Sequence, residues 1–138
     1  MFDWLTLHIA ALVVTAALFG GMTFFMALFA PLVFINLPRE TAAGFMRALF
    51  PRYFLTLGLV ALLPAAILLA IASYRPEGIA LAAVAALFFA SRALLLPALN
   101  RAREAGQTRR AGALHRASVL IHVLQWAVVT IVLVRLAG

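Results

Sequence analysis

Polar side chains recur on one side of a helix near the carboxyl terminus of an otherwise strongly apolar chain. Successive spacings of three, four and three residues place four of them on one face: His115, Ser118, His122 and Gln125. Arg92 and Asn100 accompany them, near the end of another apolar stretch. Histidine exchanges protons near neutral pH, and arginine binds anions through several N–H donors. These six residues predict a pocket for a lipid or a small anion, or a proton-transfer cluster.

The same residues also have a structural interpretation. Hydrogen bonds from His122 and Gln125 to neighbouring helices would hold a bundle together, at about 0.6 kcal/mol each. Arg92 would extend toward lipid phosphates, or bond carbonyl groups of a neighbouring helix. Residue spacing does not separate the two interpretations.

Two histidines, His8 and His122, are weak candidates for a metal site. We expect them in opposite halves of the bilayer, which argues against one haem held by both. Only Asp3 lies near His8 as a further ligand. We therefore predict no cofactor, and haem or copper is the alternative.

Catalytic sequence templates are missing from the chain. It has no cysteine, no phosphate-binding glycine loop, no GxSxG elbow and no HExxH motif. The apolar stretches hold no carboxylate pair for coupling to a cation. We predict a protein that is not an enzyme.

The amino-acid composition indicates that these polar residues belong to a membrane protein. The chain has 138 residues, of which 67% are apolar and 11% charged, whereas soluble domains are about 45–50% apolar. So few charges exclude a soluble globular domain. The net charge of +7 comes from eleven arginines and four acids, with no lysine. The positive-inside rule accounts for this excess, so we expect membrane lipids as partners and no nucleic acid.

Four apolar stretches are long enough to cross a bilayer, which takes about 20 residues. They run over residues 4–35, 54–72, 79–99 and 117–136. The fold class predicted for residues 1–138 is all-α, with four transmembrane helices in a single antiparallel bundle.

Arginines predict the orientation of the bundle. Eight of them lie in the first and third connections: Arg39, Arg47, Arg52, Arg101, Arg103, Arg109, Arg110 and Arg116. Only Arg75 and Arg135 lie on the other side. The arginine-rich side is therefore predicted to be cytoplasmic and both termini extracytoplasmic. Tyr53 is expected at the inner membrane interface.

The first connection resembles a short amphipathic helix. Pro38 is expected to open it and Pro51 to end it. One face is apolar and the other carries Arg39, Glu40 and Arg47. We predict a helix that lies on the inner leaflet; the alternative is a helix packed under the bundle.

Small residues predict where the helices approach closely. The first stretch pairs Ala16 with Gly20 and Ala17 with Gly21, and the third repeats Ala82, Ala86 and Ala90. We expect contacts within the chain there; the alternative is a seam between two copies.

Several short motifs, in order along nearly the whole chain, resemble a known family. They are GGMTFF at 20–25, AP at 30–31, LFPRYF at 49–54, LPALN at 96–100 and LHRASV at 114–119. They are similar to the bacterial integral membrane family related to transmembrane protein 205. More distantly, Leu7, His8 and the glycine pair resemble the copper-resistance protein D superfamily, which includes haem-binding oxidases. The resemblance implies a four-helix protein of the bacterial inner membrane.

Three functions follow from these observations. The first is a membrane protein that binds a lipid or small anion at the cytoplasmic side, or an accessory or transport element. The second is a haem or copper protein of the copper-resistance type. The third is a structural or assembly subunit, in a homo-oligomer or a larger membrane complex.

Overall fold

The computed structural model describes residues 3–138, apart from the side chain of Trp4, and is almost wholly helical. Described residues form no strand. In chain order the elements are α1 (Trp4–Phe24), a π-helical turn (Phe25–Phe29), α2 (Ala30–Asn36), α3 (Arg39–Leu69), a 3₁₀ turn (Ala72–Tyr74), α4 (Arg75–Ala90), a second π-helical turn (Ser91–Leu95), α5 (Leu96–Glu104) and α6 (Thr108–Ala137).

Four helical rods are long and apolar enough to cross a membrane. They span Leu5–Asn36, Arg39–Leu69, Ala72–Glu104 and Thr108–Ala137. Each is 30 to 33 residues long, about 45–50 Å, whereas the hydrocarbon core is about 30 Å thick. The all-α fold of four spans is confirmed, and the protein is a multi-pass integral membrane protein.

The four rods pack in a ring in chain order. The first contacts the second and the fourth, and the third contacts the same two, so the second and fourth lie diagonally opposite. The core contains Leu18, Phe54, Phe88 and Val129. Large apolar side chains also cover the outside, with Leu94 and Leu120 each 70% exposed. An apolar exterior of this kind is stable only against lipid.

The two ends of the bundle differ in their arginine content. The arginine-rich end holds the turns at residues 37–38 and 105–107. The opposite end holds His8, the connection at residues 70–74 and the last turn of α6.

The amphipathic helix is not a separate element. α3 runs without interruption from Arg39 to Leu69 and contains both Pro51 and Pro64. Proline removes one backbone N–H, but tertiary packing sustains the helix across it. Ala42 and Met46 are buried, so this segment packs against the bundle, as in the alternative interpretation. The prediction that Pro51 ends the helix was wrong.

Both π-helical turns end two residues before a proline. The N–H of Ala30 bonds the carbonyl of Phe25 shortly before Pro31, and the N–H of Leu96 bonds the carbonyl of Ser91 shortly before Pro97. Each of these bonds joins residues five apart, whereas an α-helical bond joins residues four apart, so each turn contains one extra residue. The insertion gives room to a proline ring that would otherwise meet the preceding turn.

Small residues of the first span do not form the predicted tight contact. Ala16, Ala17, Gly20 and Gly21 are all exposed, and a Cβ added to either glycine meets nothing within 4 Å. The larger Leu18 and Met22 face the core instead, because they fill more volume there. The repeat in the third span is also partly outside, with Ala86 exposed. The seam between two copies stays a prediction.

Candidate functional site

The structure does not gather the six predicted residues into one pocket. His122 and Gln125 point into the bundle, and Arg92 lies exposed on its outer surface. Asn100 and Ser118 are half-buried on α5 and α6, and His115 is exposed at the arginine-rich end. The predicted single cluster is thus not formed, and Arg92, His115 and the His122–Gln125 pair lie in three separate places.

His122 bonds across the diagonal of the bundle. Its Nε2 lies 3.1 Å from the hydroxyl of Tyr53 on α3. Aromatic rings surround the pair, since Phe88 lies 6.0 Å and Phe25 6.4 Å from the imidazole, centre to centre. Tyr53 therefore faces the interior of the bundle, and its depth at the inner membrane interface stays a prediction. Sequence reasoning missed it as a partner because the helices that carry the two residues are far apart in the chain.

Other polar side chains of α6 bond neighbouring helices. Gln125 is 2% exposed, and its amide nitrogen donates to the carbonyl of Val84 on α4 at 2.9 Å. The indole N–H of Trp126 donates to the hydroxyl of Thr23 on α1, also at 2.9 Å. With His122, these bonds connect α6 to each of the other three spans, as the structural interpretation expects.

Arg92 lies in the second π-helical turn. Its Nε donates to the carbonyl of Pro51 on α3 at 3.0 Å, and the rest of the guanidinium is on the outer surface. Arg92 thus does not face the bundle interior, as a pocket would require, and its bond to a carbonyl of a neighbouring helix matches the structural interpretation. The preceding residue in this turn, Ser91, is buried.

His8 belongs to a polar group at the opposite end. Its Nε2 donates to the carbonyl of Leu136 at 2.9 Å, and its ring lies 4.9 Å from that of Tyr74. Beside it, the guanidinium of Arg135 pairs with the buried carboxylate of Glu77 at 2.7 Å.

A shared metal ion between His8 and His122 is excluded by distance. His8 bonds Leu136, which lies fourteen residues, or about 21 Å, along α6 from His122. Within residues 3–138, no three side chains of His, Cys, Asp or Glu come together as a metal site requires. Haem or copper bound through one of these histidines stays a prediction.

A cleft opens between α5 and α6 at the arginine-rich end. Its volume is about 380 Å³, and its lining consists of Arg103, Gly106, Thr108, Ala111, Gly112 and His115. The four lining residues of α6 follow one another at spacings of three, one and three, so they lie on the side of the helix toward α5. Its charged and polar side chains are exposed, so the cleft is open to water.

A glycine turn determines the shape of this cleft. Gly106 has a φ of 70°, a conformation that glycine adopts without strain. The N–H of Gln107 bonds the carbonyl of Ala102, and the N–H of Gly106 bonds that of Arg103, as in a Schellman motif. The two helices then meet through the buried side chains of Leu99, Ala102 and Ala111.

An ion pair joins the two halves of this end. Arg47 on α3 pairs with Glu104 on α5, next to the turn that contains Gly106. Both side chains are about half exposed, so the pair contributes little to stability. Arg47 neutralises Glu104, the acid next to Arg103 in the sequence. The guanidinium of Arg103 is therefore free to bind an anion.

Comparison with known proteins identifies a family but no activity. Residues 13–108 match the model of a domain of unknown function, DUF4149. No curated protein and no solved structure matches the chain significantly. The resemblances to transmembrane protein 205 and to the copper-resistance protein D superfamily therefore stay predictions.

Proposed function

This chain belongs to the DUF4149 family, and we propose that it binds a phosphate-bearing anion in the cleft between α5 and α6. The ligand is an anionic lipid headgroup or a free phosphate, which present the same oxygens. The observation that carries this proposal is the cleft itself, which has Arg103 on one wall and Thr108 and His115 on the other.

The lining residues favour anion binding over catalysis. An arginine is always charged and presents planar N–H donors that match phosphate oxygens. His115 adds an imidazole and Thr108 a hydroxyl, and no carboxylate lines the cleft. The cleft also opens at the first two turns of α6, where the helix dipole favours negative charge. We therefore propose that the protein is not an enzyme.

Orientation completes the proposal. Most arginines lie at the end that holds the cleft, and the positive-inside rule places such an end in the cytoplasm. In a bacterial inner membrane the cleft would then open beside the inner leaflet, close to anionic lipids and cytoplasmic phosphates.

Titration of the purified full chain in zwitterionic detergent tests the proposal. Inorganic phosphate and phosphatidylglycerol are added separately, and bound ligand is measured by calorimetry and native mass spectrometry. We expect Arg103→Gln to weaken binding about ten-fold or more, since charge-assisted bonds are lost. The matched control is Arg39→Gln, which removes an exposed arginine at the same end but outside the cleft.

Each outcome has a defined meaning. Binding of both ligands, lost in Arg103→Gln alone, supports a phosphate site. Binding of the lipid alone, weakened in Arg103→Gln, assigns the headgroup as the source. Equal binding by the Arg103→Gln and Arg39→Gln variants, or no binding by the wild-type chain, overturns the proposal.

A structural role is the second candidate. It rests on the bonds by which His122, Gln125 and Trp126 connect α6 to the other spans. If neither ligand binds while His122→Leu lowers the thermal stability, this candidate is favoured.

A further inference from the structure

Two arginines are anchored to the same short stretch of α3, on the outside of the bundle. Nε of Arg92 donates to the carbonyl of Pro51, and a terminal nitrogen of Arg52 donates to that of Ala48, both at 3.0 Å. Ala48 and Pro51, whose carbonyls accept these two bonds, are three residues apart, so they lie on one side of α3. Both arginine side chains are exposed. Two positive charges are thus held close together on one surface.

Helix lengths place this pair at the edge of the hydrocarbon core. Pro51 lies eighteen residues, or about 27 Å, from the end of α3 at Leu69. Arg92 lies seventeen residues, or about 26 Å, from the start of α4 at Arg75. The hydrocarbon core is about 30 Å thick, so both arginines reach the headgroup level at the arginine-rich end. Leu94, two residues after Arg92, is 70% exposed, as expected of a helix that meets lipid.

The chain supplies no carboxylate to this pair. Of its four acids, Asp3 and Glu77 lie toward the opposite end, and Glu104 pairs with Arg47. Glu40 precedes Arg52 on α3 by twelve residues, or about 18 Å. Two unpaired charges at the border of a low-dielectric medium attract an anion strongly. The counter-ion must therefore come from outside the chain.

We propose that Arg52 and Arg92 bind the phosphate of an anionic phospholipid on the outer surface of the bundle, at a site separate from the cleft. A guanidinium has five N–H donors, and each of these two uses one on a backbone carbonyl. The remaining donors of both groups face the level at which lipid phosphates lie. Those two carbonyl bonds hold the side chains in place, so binding costs little side-chain entropy.

The test counts bound lipid on the full chain by native mass spectrometry in zwitterionic detergent. Phosphatidylglycerol is titrated against wild type, Arg92→Gln and Arg52→Gln, and phosphatidylcholine serves as the zwitterionic reference. Each variant is also made in the Arg103→Gln background, so that lipid in the cleft does not enter the count. We expect phosphatidylglycerol affinity to fall about ten-fold in either variant. Arg39→Gln is the control and should bind as wild type does.

Three results would overturn the site. One is unchanged binding in both variants, and another is an equal loss in Arg39→Gln, which would indicate diffuse attraction. The third is full competition by inorganic phosphate, which would remove the lipid as the specific ligand. Arg52→Gln keeps the bond between Arg92 and Pro51, so it tests the site even if Arg92→Gln fails to fold. Because the Arg103→Gln background is included, failure of the cleft and failure of this site are distinguishable.

Discussion

Replacing glycines by alanine one at a time measures how closely each part of the bundle is packed. Gly78 is buried at the start of α4, and an added Cβ would lie 2.7 Å from the backbone nitrogen of Leu69 at the end of α3. Ordinary contact begins at 3.4 Å, so the two backbones must separate by about 0.7 Å (3.4 minus 2.7). Overpacking of this kind costs about 1–3 kcal/mol, and the higher helix propensity of alanine returns up to about 1 kcal/mol. We expect Gly78→Ala to destabilise the fold by about 1–2 kcal/mol.

Two further glycines provide reference substitutions for Gly78→Ala. A Cβ on Gly21 meets nothing within 4 Å, so Gly21→Ala should be neutral or stabilising by up to about 1 kcal/mol. A Cβ on Gly58 would lie 2.7 Å from the ring of Phe89, which can turn aside. Gly58→Ala should therefore fall between the other two.

Reversible unfolding in mixed micelles of mild detergent and sodium dodecyl sulfate, followed by circular dichroism, measures these differences. The free energy of unfolding should decrease in the order Gly21→Ala, Gly58→Ala, Gly78→Ala. A loss in Gly21→Ala as large as that in Gly78→Ala would refute the reasoning. It would show that the small-residue face of the first span packs tightly, against this chain or a second copy.

Three further perturbations test other parts of the molecule. Tyr53→Phe should lower the free energy of unfolding by about 1–3 kcal/mol, because it leaves His122 without its partner. A double-mutant cycle with His122→Phe should give a coupling energy of about 0.6–1.7 kcal/mol, and zero coupling would contradict the hydrogen bond between Tyr53 and His122. Gly106→Ala should lose about 1–2 kcal/mol because φ is 70°, and unchanged unfolding would show that the turn relaxes. A hydrogen bond from the backbone N–H of Thr6 lowers the pKa of Asp3 below 3.8, so this helix cap is intact above that pH and is lost as pH falls through the lowered pKa. The amide shift of Thr6 should follow this titration by NMR, and Asp3→Asn should abolish the pH dependence while keeping the cap.

Hydropathy and charge predicted the four spans but not their lengths. Arg52 marks where the hydrocarbon ends, and we placed the start of the second span after it, at Phe54. The helix itself begins at Arg39 and continues through Arg47, Pro51 and Arg52. A charged residue is unfavourable in hydrocarbon, so it limits the length of the membrane-buried segment. It does not end the helix, because the backbone hydrogen bonds of a helix also form in water.

Spacing predicted correctly that His122 and Gln125 share the inner face of α6. Their partners, Tyr53 and Val84, were not predictable, because both lie on other helices whose rotation depends on packing. The sequence left two placements open for Arg92, one toward the bundle interior and one toward lipid phosphates or a neighbouring carbonyl. The structure has Arg92 exposed in the π-helical turn, with its Nε bonded to the carbonyl of Pro51, and no spacing rule in the sequence marked that partner.

The sequence by itself determined that this protein crosses the membrane four times, because long uncharged stretches are stable only in hydrocarbon. It also determined which end carries the arginines. Only the tertiary structure decided which polar groups meet, since a contact between spans depends on the ring order of the rods and on their rotation. It separated residues that were predicted to lie together: His122 bonds Tyr53, His115 lines a cleft with Arg103, and Arg92 bonds the carbonyl of Pro51. The spacing of residues predicts which of them share a face of one helix, whereas a binding site requires faces from two helices.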